Sequence, residues 1–235
     1  CEHLDRGIPV DRPLAIGQKH IIVTSNYAAR AYGVGKLESR DKALAKCPGL
    51  LIVEGSDLEQ YCKHAWKIYR SFRQACQEEC LGTANVKVSK GSGMDEMMAD
   101  LTLAIDASLA GDAATSSTAA TTASSSILSE SNVYIYGEQG TSETTVLTGD
   151  QSGASAVVVS RSTSSPNDDD DCDETIQRRL HQAAEIAVRI RRRVLEETGF
   201  TTTLGISVNL LLAKLAGGLK KPHTVNVLYP WRAPP

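Results

Sequence analysis

Residues 92–102, SGMDEMMADLT, place two adjacent acids, Asp95 and Glu96, between a Gly/Ser-rich turn and an apolar run of strand character. Successive residues of a regular strand point to opposite faces, so the two carboxylates converge only where the chain bends. The stretch from Ser89 to Gly93, with glycine at 91 and 93, supplies the bend. Neighbouring hard oxygen ligands suit Mg²⁺, which takes one or two protein carboxylates and fills its other positions with water and substrate phosphate. Acidic dipeptides are common on solvated surfaces, so the pair gains meaning only from the rest of the chain.

Upstream, residues 20–30 read HIIVTSNYAAR. The strand pattern ends at Thr24, Ser25 can cap a helix, and Tyr27 and Arg30, three apart, share a helix face. Free N–H groups, a hydroxyl, a phenol and a guanidinium aimed one way form a clamp for a triphosphate. The plainer reading of the same residues is a capped helix with Tyr27 half-buried and Arg30 solvated.

Around these stretches the chain divides by composition. Residues 1 to 106 read as ordered α/β sequence, with apolar strands at His20 to Thr24 and Leu50 to Glu54. Ser56 and Glu59 have capping-box spacing, and Leu58, Tyr61, Ala65, Ile68, Phe72 and Ala75 then recur on one face of a long helix. Residues 107–172 turn to Ser, Thr, Ala and Asp, too poor in large side chains to bury a core, and read as a mostly disordered insertion. Within it, Val133 to Tyr136 and Ala154 to Ser160 have strand composition and are expected as edge strands. Helical spacing returns from an N-cap at Asp173, through Ile176, Leu180, Ala183, Ala187, Ile190 and Val194, and Gly199 stops it. A strand over Thr201 to Ile206 and a helix capped by Ser207, running to about Gly217 or Leu219, complete an α+β sheet with helices expected on one face. No GxGxxG or GxxxxGK[ST] fingerprint marks a doubly wound nucleotide fold.

Composition bounds the function. The 235 residues, 41% hydrophobic, suffice for one large or two small domains, and a net charge of -3 excludes a wholly basic arm. That average conceals an acidic run at Asp168 to Glu174 and a basic stretch from Arg178 to Lys221, which offers surface to a polyanion. Cys1, Cys47, Cys62, Cys76, Cys80 and Cys172 are too sparse for a disulfide scaffold and lack paired zinc knuckles, so buried thiols in a reducing compartment are expected. No run reaches membrane-spanning length, and no signal peptide is visible. Arg191, Arg192 and Arg193 read as a solvated helix face balanced by Glu196 and Glu197, Lys220 and Lys221 as complements to a helix dipole, and Tyr61, Trp66 and Tyr69 as core or half-buried packing rather than base-stacking rings.

Four segments, VTSNYAARAYGVGKL, KCPGLLIVEGSDLEQY, MDEMMADLT and ETGFTTTLGISVNLLLAKLAGGLKKP, taken in order, resemble the fingers and palm of Y-family translesion DNA polymerases, the eukaryotic iota branch first and the eta branch next. The resemblance implies a ferredoxin-like palm with a small α/β fingers domain: residues 1–80 as fingers and connecting helix, 81–106 and 173–228 as the two parts of the palm, and 229–235 leading to a thumb. It implies that Asp95 and Glu96 are catalytic and hold two Mg²⁺, or Mn²⁺ in their place, with Asp95 between the ions and Glu96 on the primer side. It implies nucleotide contacts from Thr24, Tyr27, Arg30 and Lys214, and template contacts from Gln18 and Lys19. Its partners are primer-template DNA and deoxynucleoside triphosphates in the nucleus, with a replication clamp engaged through regions beyond this chain and no membrane.

The chain departs from that pattern in three ways. Leu210 stands where the family has a lysine that reaches the triphosphate, next to the matching Asn209. A first palm strand with a third metal-binding Asp is expected before residue 1, and a thumb and DNA-gripping domain after LYPWRAPP. The stretch therefore reads as a fragment with little activity by itself, from either a translesion polymerase or a non-catalytic DNA- or partner-binding derivative. With the resemblance set aside, a generic Mg²⁺-dependent nucleotide-binding α+β domain remains.

Overall fold

The computed structural model describes residues 1–80, 86–91, 93–114, 132–136, 155–159 and 169–230, without the side chains of 112–114 and 169–173. Most of the proposed disordered insertion, 107–172, lies outside these residues, whereas the acidic run at 168–174 lies within them from Asp169 onward, as the start of a helix rather than a linker. The chain forms two compact units, residues 1–64 and 65–235.

The first unit is built on a three-stranded sheet ordered β2-β1-β3, with β1 at Leu14–Gln18, β2 at Ile21–Ser25 and β3 at Leu51–Glu54. β1 and β2 are antiparallel across the two-residue link Lys19-His20, where Lys19 takes a φ of 51°. β3 runs parallel to β1. Helices α1 (Glu2–Arg6), α2 (Tyr27–Ala31) and α3 (Arg40–Lys46) accompany the sheet, and Ala15, Ile22, Ala29, Val34, Ala43, Cys47 and Leu50 form its core.

Two caps differ from expectation here. Asn26 caps α2 in place of Ser25: its Oδ1 accepts from the Ala29 and Leu14 N–H groups at 2.9 and 3.0 Å. Ser25 is buried and its hydroxyl donates to the Val34 carbonyl at 3.1 Å. Nor does Ser56 form a capping box, since its hydroxyl donates to Glu54 Oε1 at 2.6 Å while Asp57 Oδ1 accepts the Glu59 N–H at 3.0 Å.

The boundary between the units falls within the long helix α4 (Glu59–Glu79). The second unit has a six-stranded sheet ordered β4-β5-β7-β8-β9-β6. Its strands are β4 (Lys87–Lys90), β5 (Met97–Asp100), β6 (Val133–Tyr136), β7 (Ser155–Val158), β8 (Leu204–Ser207) and β9 (Val225–Leu228). Only β4 and β5 pair antiparallel; the other four pairings are parallel. Helices α5 (Thr102–Ala114), α6 (Asp169–Thr198) and α7 (Leu210–Gly218) belong to this unit.

Of the two strands expected at the insertion's edges, β6 is an edge strand, but β7 lies inside the sheet between β5 and β8. Ser155, Ala156 and Val157 are all buried, and the unalternating apolar run from Ala156 to Val159 is that of a strand covered on both faces. The expectation of helices on one face is also corrected. Leu204 and Ile206 point into a core with Leu180, Ala183, Ala187 and Ile190 of α6 and with Phe72, Ala75 and Cys76 of α4. Gly205 faces the other way, onto α7. Each fully buried Leu or Ile of this core contributes about 1.5–3 kcal/mol relative to exposure.

α6 begins at Asp169 rather than after a cap at Asp173, and ends at Gly199, whose φ is 77° and whose N–H donates to the Leu195 carbonyl at 2.8 Å. Its arginines are not all a solvated face. Arg191 is buried and donates to the His223 carbonyl, Arg189 pairs with Glu79 at 2.5 Å, and Arg193 pairs with Glu78 and with Glu197 at 2.7 Å. Lys220 lies over the Tyr134 ring at 5.7 Å. Cys76 and Cys80 are buried thiols; burial pushes both up, Cys80 to about 11.

Backbone meets backbone where α7 packs on β8. A Cβ on Gly205 would meet the Ala213 carbonyl oxygen at 2.1 Å and the Gly217 nitrogen at 2.2 Å, which are backbone atoms unable to step aside. Gly205→Ala is expected to cost about 3 kcal/mol, lowering Tm by roughly 6–12 °C in thermal denaturation. An unchanged Tm would contradict this packing.

Candidate functional site

In the second unit, Asp95 and Glu96 precede β5 rather than lying on it. The Gly91 N–H donates to the Glu96 carbonyl at 2.8 Å, closing a turn that carries both acids. A Cβ on Gly93 would lie 3.1 Å from Asp95 Oδ1 and 3.5 Å from Glu96 Cγ, so both side chains approach the same point of the turn. At Gly91 a Cβ would lie 2.6 Å from Glu96 Cβ and 2.8 Å from its Oε2, which explains why this position carries no side chain. The bend read from the two glycines is thus what brings the carboxylates together. Asp95 is exposed, while Glu96 is half-buried with Oε2 3.4 Å from Lys214 Nζ on α7.

Asn209 caps α7, its Oδ1 accepting the Leu212 N–H at 2.9 Å. Ser207, the cap expected from sequence, is buried in β8 and donates to the Leu228 carbonyl at 2.6 Å. Asn209 therefore fixes the start of the helix that presents Lys214 to Glu96. Leu210, in the first turn of the same helix, is 43% exposed.

Two adjacent carboxylates, one exposed and one beside an exchangeable ammonium, are donors of the kind Mg²⁺ uses when substrate phosphate and water complete its shell. They fit a divalent cation held jointly with a substrate. They do not make a cage, and among the described residues no group of three or more His, Cys, Asp or Glu side chains is placed to hold a metal.

The remaining candidate residues lie in the first unit. Arg30 stacks on the Tyr27 ring, guanidinium carbon to centroid 5.0 Å, and its Nε donates to the Ser25 carbonyl at 3.1 Å. Tyr27 is 46% exposed, more than the half-buried ring of the plainer reading, and the pair presents a phenol and an oriented cation on one face. Thr24, on β2, lines a cavity of about 260 Å³ with Leu14, Ile16, Asn26 and Tyr61. Tyr61 donates to Glu2 Oε1 at 2.8 Å, and burial and that carboxylate push its phenol up to about 12. Gln18 donates its side-chain amide to the Gly55 carbonyl at 2.8 Å, and Lys19 is exposed at the hairpin tip. The structure thus groups Thr24, Tyr27, Arg30, Gln18 and Lys19 in one unit and Asp95, Glu96 and Lys214 in the other.

The impB/mucB/samB family model matches residues 1–218. The chain belongs to the impB/mucB/samB family. It is 28% identical to DNA polymerase iota of Mus musculus over 220 residues, 94% of this chain and 24% of that protein. To DNA polymerase iota of Homo sapiens it is 27% identical over 222 residues, 94% of this chain and 23% of that protein. A shorter match, 45% identical over 62 residues, is to DNA polymerase IV of Clostridium acetobutylicum, covering 26% of this chain and 16% of that protein. The crystal structure of DinB from Sulfolobus solfataricus shares the fold, with TM-score 0.56 and 15% identity over 98% of this chain and 45% of that one. The chain spans about a quarter of the length of the two iota relatives. The mixed α+β fold and the family are those that the four sequence segments pointed to. Among the described residues no helix is long and apolar enough to cross a membrane.

Sequence reading gave Trp66 a packing role and little support for base stacking. This residue is 48% exposed, with Lys90 Nζ 4.7 Å above its ring, contrary to the core or half-buried packing expected. The available signal was the absence of Asp or Glu from Lys63 to Gln77.

The Lys214–Glu96 pair is partly solvated, with side chains 41% and 18% exposed, and such pairs contribute at most about 1 kcal/mol. Lys214→Ala is expected to unfold within about 1 kcal/mol of the unmodified protein in denaturant titration. A larger loss would assign Lys214 to the fold rather than to a ligand.

Proposed function

We propose that the chain is the nucleotide- and metal-handling part of a DNA-directed DNA polymerase of the translesion type, adding deoxynucleotides to a primer opposite damaged template. The observation that carries this reading is the approach of Asp95 and Glu96 to one point above Gly93, beside Lys214, in a chain matched to the family from residue 1 to 218. Residues 1–80 serve as fingers and connecting helix, 81–106 and 173–228 as palm, with 107–172 between the palm segments contributing β6 and β7 to their sheet, and 229–235 leading to the thumb.

Asp95 and Glu96 hold the divalent cations, two Mg²⁺ with Mn²⁺ as substitute. Such cations, when bound, acidify the primer 3′-hydroxyl and offset the charge of the leaving pyrophosphate. Arg30, oriented by its stack on Tyr27 and its bond to the Ser25 carbonyl, neutralises and positions the terminal phosphates of the incoming nucleotide, with Tyr27 and Thr24 donating beside it. Lys214 adds positive charge for the triphosphate, and Gln18 and Lys19 lie toward the templating base. Primer-template DNA and deoxynucleoside triphosphates are the substrates, the nucleus is the site of action, and a replication clamp engages regions beyond this chain.

Leu210 favours a second reading, a non-catalytic derivative that binds DNA or a partner. It puts an exposed apolar side chain where the resemblance has a phosphate-contacting lysine.

Primer extension by the full-length protein separates the two. Asp95→Ala is expected to lower extension at least about a hundredfold, roughly 3 kcal/mol of transition-state stabilisation, with DNA binding retained. DNA binding without extension by the unmodified protein would establish the second reading, and extension indifferent to Asp95→Ala would remove Asp95 from catalysis.

A further inference from the structure

From Ala65 to Gln77, helix α4 has two unlike faces. Ala65, Ser71, Phe72, Ala75 and Cys76 are buried in the second unit. Trp66, Lys67, Arg70 and Arg73 are exposed and, at helical spacing, form one solvent-facing stripe. No acid lies on the helix between Lys63 and Gln77, and among the described residues no carboxylate pairs with Lys67, Arg70 or Arg73.

The arginines of α6 make the contrast. Arg189 and Arg193 are matched to Glu79 and Glu78 at the end of α4, so their charge is spent on packing the two helices. Among the described residues the cations of the α4 stripe have no such partner. In a chain of net charge -3 they form a local field open to an anion.

Trp66 stands in this field as a fixed ring. Lys90 Nζ sits 4.7 Å from its centroid, and the Tyr69 ring meets it edge-on at 5.6 Å and 85°. Tyr69 is in turn tied to β4, its hydroxyl 3.5 Å from the Val88 carbonyl. The indole is thus held in place yet remains 48% exposed, an arrangement that core packing alone does not require.

An oriented aromatic face among unpaired cations is the combination that binds single-stranded nucleic acid: the cations follow the phosphates, and an unpaired base stacks on the ring. A base within a duplex has both faces covered and cannot take up the indole. We propose that Trp66, Lys67, Arg70, Arg73 and Lys90 form a binding surface for single-stranded DNA that operates independently of the Asp95-Glu96 turn. This inference goes beyond the polymerase reading and does not rest on it.

The test uses the full-length protein without primer, nucleotide or divalent metal. The sequence printed here has two tryptophans, so a Trp231→Phe background, with any tryptophans outside this sequence also replaced, leaves Trp66 as reporter. Oligo-dT is expected to quench its fluorescence saturably. In anisotropy titrations of labelled oligo-dT, Trp66→Leu is expected to weaken binding about tenfold. The double variant Arg70→Ala/Arg73→Ala is expected to weaken it and to reduce the slope of log K against log salt by about 1.4, roughly 0.7 for each lost phosphate contact. Asp95→Ala should leave all of this unchanged, so failure of the polymerase reading would not disturb it. The proposal is overturned if these variants bind oligo-dT like the parent while retaining its circular dichroism. Equal quenching of Trp66 by duplex DNA or by poly-aspartate would also overturn it, the latter assigning the face to an acidic polypeptide.

Discussion

The backbone of α7 touches the backbone of β8 at Gly205, where a methyl group would collide with the Ala213 carbonyl and the Gly217 amide. This contact fixes the depth and rotation of the helix on the sheet, and hence the position of Lys214, the residue after Ala213. With α7 seated, Lys214 Nζ falls 3.4 Å from Glu96, and the ammonium meets a turn whose own shape depends on Gly91 and Gly93. Glycine occurs at these positions because atoms of the site already fill the space a side chain would need. The same contact requires β8 to be covered on both faces, with α7 on one and the α6 and α4 core on the other.

The charges of the second unit serve different ends. Arg189 and Arg193 are joined to acids of α4, and Arg191 is buried against the His223 carbonyl; these cations hold helices and loops. Lys214 is different, since its partner Glu96 belongs to a pair of acids that, among the described residues, has too few companions to form a closed metal cage. An ammonium beside such an acid can give way to a divalent cation and turn to the phosphate that arrives with it. The turn is therefore suited to a metal that comes with its substrate rather than to a resident structural ion.

The long periodic elements were legible from sequence: Ile176 to Val194 on α6, Ala65 to Ala75 on α4, and the apolar runs that became β2 and β3. The converging acids were legible too, because glycines at 91 and 93 state the bend directly. Caps were misread for one physical reason. Ser25 and Ser207 look like N-caps, but both are buried in strands and donate to the Val34 and Leu228 carbonyls, leaving Asn26 and Asn209 to cap the helices. α5 was missed because only Leu101, Ile105 and Leu109 recur at helical spacing before the sequence turns to Ala, Ser and Gly; a further local signal was Asp100, whose Oδ1 accepts the Thr102 N–H at 3.1 Å. The interior place of β7 is set by pairing with β5 and β8, residues distant in sequence, and its one local sign is the unalternating apolar run from Ala156 to Val159.

The central claim is that the Asp95-Glu96 turn binds divalent metal together with a nucleotide. Mn²⁺ electron paramagnetic resonance, with a deoxynucleoside triphosphate at fixed concentration and nucleotide-only solutions as reference, measures this directly. The account expects Mn²⁺ binding beyond the nucleotide-only reference for the full-length protein, reduced to that reference in an Asp95→Asn/Glu96→Gln variant of unchanged circular dichroism. Equal Mn²⁺ binding by the two proteins would contradict it.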